Sequence, residues 1–288
     1  MSGTSIAPGT DELRAHLHRQ WDSVAAAWGE HADYADGRGA PITERLLAAT
    51  GPAEGERVLE LACGTGGVGL AAARLVGPSG EVILSDVSAA MTALAAARAG
   101  GFDNVASRVL DLEQIDEPDA SFDVVLCREG LMLVPDPARG AREIRRMLKP
   151  GGRVALAVWG PRERNPWLAV VFDAVATALD APVPPPGIPG PFALDDGERL
   201  AAILREAELV DVEVVEVAVP YIASSPDEWW ARTLALAGPL AKRLAGLPEP
   251  ALEALRARAF DAIAEYATPD GRLEIPGVSL VASGVRRP

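Results

Sequence analysis

Glu60, Gly64, Gly66 and Gly69 stand in the run ELACGTGGVG, and carboxylates follow at Asp86 and Asp111. The glycines satisfy G-x-G-x-x-G, the pattern of a strand–turn–helix junction whose free amides can hold a nucleotide. Asp86 comes where an acid that accepts from ribose hydroxyls belongs. A dinucleotide is therefore one reading, and a purely structural tight turn is another. Glu60 argues against the dinucleotide: its carboxylate repels a pyrophosphate, but not a cofactor carrying an ammonium and a sulfonium. Asp86 is expected at an exposed strand end; it fits either nucleotide and does not discriminate. Asp111 followed by Leu112 sets an acceptor beside an apolar side chain, which suits the amine and the face of an adenine.

Other side chains carry chemistry less specifically. His31 has a nominal pKa suited to a general base, but the polar run GEHADYAD around it equally describes a solvated surface histidine. Glu129 is the other candidate base, with pairing to Arg128 as its plainer role. Trp21 and Trp28 can line a substrate mouth or pack a helix, and Trp167 and Trp229 have the same two readings. Adjacent Trp229 and Trp230 cannot both face inward squarely on one helix, so one of them is expected at a lid. Cys63 and Cys127 read as buried fillers at strand ends. His16 and His18 point to different faces of a helix, and no metal site is expected.

The whole chain bounds these readings. It has 288 residues, 49% hydrophobic and 24% charged, with a formal charge of −14, so one elaborated globular domain is the expectation. A nucleic-acid partner is not expected, because no basic stripe offsets that charge. The first residues lack a basic segment followed by an apolar run, and charges break every long apolar stretch, so a cytoplasmic protein without membrane segments is expected.

Periodicity supplies the positioning elements. After a polar tail before residue 11 that is expected to stay mobile, Leu13, Leu17, Trp21, Val24 and Trp28 share one face of a helix over 11–30, and a second helix covers about 41–50. Strands are then expected at 57–62, 81–85, 105–110, 122–127 and 153–159. Helices at 68–75, 89–99 (capped by Ser88) and 137–148 lie between them, and Lys149-Pro150-Gly151-Gly152 reads as the turn into the fifth strand. This alternation implies an α/β, doubly wound parallel sheet. Beyond it come a helix at 167–179, a Pro-rich loop at 181–191, a helix at 195–209 and a strand at 212–219. Ser225 then caps further helices to about 266, and a strand follows at 278–285. Three parts result: an N-terminal helical lid (1–50), a core (51–160), and a C-terminal part (161–288) carrying helical cap insertions at about 161–193 and 222–268.

The runs VLELACGTGGVGL, SDVSAAM, LDLEQI, SFDVVLCREGLMLVPD and LKPGGRVALAVWG, in that order, resemble class I S-adenosylmethionine-dependent methyltransferases. The resemblance is to the methyltransferase-11 group that includes quinone-biosynthesis C-methyltransferases, and it is strong over about 50–160. It implies a seven-stranded Rossmann-like sheet with the last strand antiparallel. It also implies S-adenosylmethionine as cofactor and S-adenosylhomocysteine as product. Residue by residue, Glu60 and Ala62 would border the cofactor's amino-acid end, and Gly64 and Gly66 would let it pass close to the backbone. Asp86 and Val87 would meet the ribose, with Met91 near the adenine. Asp111 and the Leu112 amide would read the adenine edge, and Cys127 and Arg128 would meet the methionine end. The CREGLMLVPD segment departs from the quinone enzymes, so quinone specificity is not implied. Arg128 stands where metal-dependent catechol enzymes place an acid, and Asn165-Pro166-Trp167 follows the wrong strand for an amino-methyltransferase motif.

Methyl transfer to O, C or N of a small, largely apolar acceptor is thus the expected activity. The rivals are an NAD-linked oxidoreductase, which lacks an evident catalytic set here, and a methyltransferase-fold protein that holds the cofactor without transferring methyl.

Overall fold

The computed structural model describes residues 10–185, 188–237, 240, 244 and 246–288. Its frame is a seven-stranded sheet ordered β3-β2-β1-β4-β5-β9-β6. β1 (Arg57–Leu61), β2 (Glu81–Asp86), β3 (Val105–Val109), β4 (Phe122–Arg128) and β5 (Leu148–Trp159) run parallel. β9 (Val278–Arg286) runs antiparallel between β5 and β6 (Leu209–Ala218). The central strands read as unbroken apolar runs because helices cover both faces: Val58, Leu59, Val124, Leu126, Val154 and Leu156 are wholly buried.

The covering helices begin where the sequence supplies caps. α5 (Gly67–Val76) opens from the glycine loop, and α6 (Ala89–Arg98) opens at Ser88, whose hydroxyl accepts from the Met91 amide. α7 (Pro137–Met147) opens at Asp136, which accepts from the Arg139 amide. α8 is Pro166–Leu179, and α9 (Gly197–Glu206) opens at Asp196. α10 (Pro226–Leu236) opens at Ser225, which accepts from the Glu228 amide, and α11 is Glu249–Ile263. Each such cap satisfies a helix-end amide that would otherwise lack a partner.

Several expectations need correction. The helix expected over 11–30 is broken into α1 (Thr10–Asp22) and α2 (Ala25–Glu30). Ser23 causes the break by donating to the Gln20 carbonyl at 2.6 Å, a local bond that competes with the helix ladder. α3 (Ala32–Arg38) was not anticipated, since ADYADGR shows little apolar periodicity. α4 (Ala40–Thr50) buries Ile42 and Leu46 in the main core and packs against β5 and β9. It belongs with the sheet more than with a lid. Lys149-Pro150-Gly151-Gly152 lies within β5 as a bulge: Phe122 pairs with Leu148, and pairing resumes at Val124 with Arg153. A small second sheet pairs β7 (Tyr221–Ala223) with β8 (Leu273–Ile275), strands too short to show a period. Among the described residues no helix is long and apolar enough to cross a membrane. The tail expected to be mobile before residue 11 falls almost wholly outside the described residues.

Candidate active site

Above the carboxyl ends of β1, β2 and β4 lies a cavity of about 1280 Å³, more than one small ligand needs. Its two ends differ in construction.

At one end the glycine loop turns from β1 into α5. Gly64 is left-handed (φ +53°), and a side chain there would meet nothing within 4 Å, so the backbone is bared to the cavity. Gly66 does not line the cavity: a Cβ on it would press on Leu84 and Ala95, so it serves packing and the αL start of α5. Glu60 is 1% exposed, and the Gly69 amide donates to its Oε2 at 2.8 Å. Burial pushes its pKa up to about 8, with Arg128 and that amide working against the shift. The carboxylate thus already occupies a helix-end amide that a pyrophosphate would need.

Asp86 was expected at an exposed strand end, and it is buried at 8% exposure. Gly64 N–H donates to Oδ2 and Ser88 N–H to Oδ1, both at 2.9 Å. Burial raises its pKa, and these amides oppose the rise. It therefore shapes the loop as well as facing the cavity beside Val87. Asp111 accepts from the Glu113 amide at 2.8 Å, and Leu112 lines the wall next to it. Over this end lies α1: Arg14 Nε sits 3.1 Å from Glu113 and 3.4 Å from Asp111, with His18 3.8 Å from Asp111. Burial lowers the His18 pKa, and Asp111 opposes that shift. The α1 terminus is tied to α6 by Ser88, whose hydroxyl donates to Asp22 at 2.6 Å. Met91, Val24 and Ala25 form a buried cluster flanked by Trp21 and Trp28, whose rings meet edge-on at 6.3 Å. Both tryptophans line the cavity, so their packing and wall roles coexist.

At the other end Glu129 leaves β4 with φ +61°, a costly conformation for a non-glycine residue. Its amide donates to Ala157 at 2.8 Å, fixing it between β4 and β5. Among the described residues its carboxyl makes no hydrogen bond, and Oε1 is buried without a partner. Burial pushes its pKa up to about 7, opposed first by Arg128 and then by Arg38. The expected Glu129–Arg128 pair does not form. Arg128 instead binds Asp36 at 3.0 Å and Thr43 at 2.9 Å, and Asp36 also holds Arg98 at 2.7 Å.

Beside Glu129 the Arg38 guanidinium lies 3.9 Å from the Trp167 ring centre, 4.8 Å from Tyr221 and 5.0 Å from Trp159. Tyr34 meets Tyr221 at 5.7 Å, and Arg232 lies 3.8 Å over Tyr34. The hydroxyls of Tyr34, Tyr221 and Thr233 complete no hydrogen bond of ordinary geometry. Trp167 donates its Nε1–H to Asn165 at 3.1 Å, and Asn165 in turn donates to Gly160 and Val278. Asn165 is thus a fully buried structural hub, consistent with discounting an amino-methyltransferase motif there.

Besides Gly66, three candidates lie off the wall. His31 sits at the joint between α2 and α3, and Cys127 is wholly buried in the core. Trp229 is wholly buried and donates to the Trp167 carbonyl at 3.0 Å, so it supports the wall from behind. Trp230 is buried as well, because Phe260 of α11 gives both rings a neighbour. Neither tryptophan is a lid contact. Tyr34, Arg38, Trp159, Tyr221 and Arg232 were missed. The spacing of Tyr34 and Arg38, one helical turn apart, is the one signal the sequence carried for them.

Residues 52–167 match a family model described as "Methyltransferase domain". The ubiquinone/menaquinone biosynthesis C-methyltransferase UbiE of Cellvibrio japonicus is 34% identical over 167 residues, covering 57% of this chain and 67% of the relative. The corresponding protein of Hahella chejuensis is 32% identical over 166 residues, 56% of this chain and 66% of its own length. The chain therefore aligns with about two thirds of each relative. Among solved structures, the [4+2]-cyclase SpnF superposes with a TM-score of 0.60 at 20% identity, covering 100% of both chains. The YcgJ protein of Bacillus subtilis gives 0.56 at 19% identity, covering 84% of this chain and 96% of that one. These two likenesses establish the fold.

Proposed function

We propose that this chain, which belongs to the class I S-adenosylmethionine-dependent methyltransferases, methylates a small, largely apolar acceptor held at the Glu129 end of the cavity. The cofactor is S-adenosylmethionine and the product S-adenosylhomocysteine. Bound, the cofactor supplies a methyl group on a sulfonium, whose leaving group is neutral. The residues present fit it: an open backbone at Gly64, buried carboxylates at Glu60 and Asp86, and Asp111 beside Leu112. In this reading Asp86 and Val87 hold the ribose, Asp111 and the Leu112 amide read the adenine, and Met91 lies under it. Glu60 holds the cationic amino-acid end through the loop, near Ala62 and the Arg128 backbone. Asp86 can accept ribose hydroxyls through the lone pairs that the Gly64 and Ser88 amides leave free.

The observation that carries the proposal is the single cavity joining this cradle to Glu129, Trp159 and Trp167. Trp159, Trp167, Leu133 and Phe172 supply the apolar wall that orients the acceptor and excludes water. Among the described residues Glu129 is a wall carboxyl with a buried oxygen left without a hydrogen bond, and it takes the proton that an O–H or C–H acceptor loses. No metal is invoked, and α1 closes the cofactor end as a lid. The test is transfer from S-adenosylmethionine carrying a deuterated methyl group into a small-molecule extract, followed by mass spectrometry. S-adenosylhomocysteine should form together with a labelled small molecule. Label confined to protein or nucleic acid, or no S-adenosylhomocysteine at all, would overturn the proposal.

A further inference from the structure

Arg38 poses a problem that the methyl-transfer reading leaves open. A buried guanidinium is costly unless a charge or a full set of acceptors meets it. Among the described residues Arg38 forms no ion pair. Its one hydrogen bond is a long one, Nη2 to the Val219 carbonyl at 3.4 Å, and its Nε–H has no acceptor. Three aromatic faces, of Trp159, Trp167 and Tyr221, hold it in place at the cavity wall.

The surroundings are donors too. Among the described residues the hydroxyls of Tyr34, Tyr221 and Thr233 complete no hydrogen bond of ordinary geometry, Tyr34 reaching Tyr221 and Arg232 only loosely, and Arg232 closes the far side of Tyr34. Arg232 spends its charge on Glu228 of the same helix, and Arg128 spends its charge on Asp36. Arg38 is left as the one uncompensated cation of the cluster. Glu129 is the acid nearest in influence, but it stays beyond ion-pair distance and makes no bond to it.

Resting on the methyltransferase reading of this cavity, we infer that the acceptor carries a carboxylate, bound by the planar fork of Arg38 and the hydroxyls of Tyr34 and Tyr221, and an apolar body lying against Trp159 and Trp167. The planar fork suits a carboxylate in a way that an ammonium would not. One uncompensated charge matches a monoanion better than the two charges of a phosphate monoester. With the acceptor seated, its negative charge and that of Glu129 face Arg38 and the cofactor's sulfonium, so these four charges balance. The acceptor class is therefore an apolar carboxylic acid with a second group that takes the methyl.

The test is calorimetry on the full chain with and without S-adenosylhomocysteine, using three probes that share one body: 3-phenylpropionate, its primary amide, and 2-phenylethyl phosphate. The carboxylate should bind about tenfold more tightly than the amide or the phosphate, the discrimination expected of one charge-assisted contact. Arg38→Met should erase this preference, and Arg38→Lys should retain part of it because the charge remains. Equal binding of acid and amide to the wild-type protein would overturn the inference, as would an Arg38→Met protein that still discriminates. Tighter binding of the phosphate would also overturn it. If Arg38→Met does not fold, the wild-type and Arg38→Lys comparisons decide alone. Failure of S-adenosylhomocysteine to bind the wild-type protein is a separate result, and it strikes the cofactor reading instead.

Discussion

The two ends of the cavity are built on opposite plans. At the cofactor end, carboxylates are satisfied before any ligand arrives: Glu60 by the Gly69 amide, Asp86 by those of Gly64 and Ser88, Asp111 by that of Glu113. At the acceptor end Glu129 Oε1, Arg38 Nε and the hydroxyls of Tyr34, Tyr221 and Thr233 complete no hydrogen bond of ordinary geometry among the described residues. The first end comes from one stretch of β-loop-α units, where backbone amides lie at fixed offsets from the acids. The second is assembled from α3, the tips of β4 and β5, β7 and α10, which meet only through the tertiary fold. The cradle holds its shape alone, whereas the acceptor end is completed by what it binds.

The largest way to break this contrast is at Asp86. Asp86→Ala strips two loop amides of a buried charged acceptor, so unfolding stability should fall by about 3 kcal/mol. Urea unfolding measures this, and affinity for S-adenosylhomocysteine should fall with it. An Asp86→Ala protein of normal stability would mean that the loop is held by other contacts. Glu129→Gln should act on the other end alone, lowering turnover by about 100-fold while cofactor affinity stays unchanged. Burial holds the Glu129 pKa up at about 7, and a base must be ionised to act. Wild-type turnover should therefore drop as pH falls through 7, and the variant's residual rate should lack that limb. A wild-type profile flat across pH 6–8 would remove Glu129 from the role.

A smaller effect is expected at Arg14, whose removal frees α1 from Glu113 and Asp111. Cofactor affinity should weaken by about fivefold, the scale of one partly buried ion pair, without loss of the core. Unchanged affinity would make α1 a packing element and not a lid. The last expectation concerns stability against pH. Glu60 and Glu129 have folded pKa values raised above the unfolded value near 4.5. The folded chain thus holds more protons than the unfolded chain between about pH 4.5 and 8, and stability falls as pH rises through that window. Each of the two groups contributes a slope of up to about 1.4 kcal/mol per pH unit, and the Glu60 share disappears in Glu60→Gln. A stability that rises across the window would contradict the burial of these groups.

What could be read in the sequence follows the same division. The strands from β1 to β5, the caps at Ser88 and Ser225 and the acids around the glycine loop are local patterns with fixed offsets, and they stand where the pattern put them. Asp86 was expected at an exposed strand end, and a single strand cannot reveal that its tip folds back under a loop. The β5 bulge hid behind Lys149-Pro150-Gly151-Gly152, because Pro and Gly mark a turn and a bulge alike. Trp229 looked like a wall residue until α11 supplied its neighbour, Phe260. Beyond its helical-turn spacing from Tyr34, Arg38 gave no signal, since its aromatic box draws on residues more than a hundred positions away.

Hydrogen exchange with S-adenosylhomocysteine as sole ligand tests the two-ended cavity most directly. The account predicts slowed exchange at residues 60–70, 86–91 and 110–113 and along α1, with residues 34–38, 129–134 and 221–223 unchanged. Protection confined to the second set, or spread evenly over both, would contradict it.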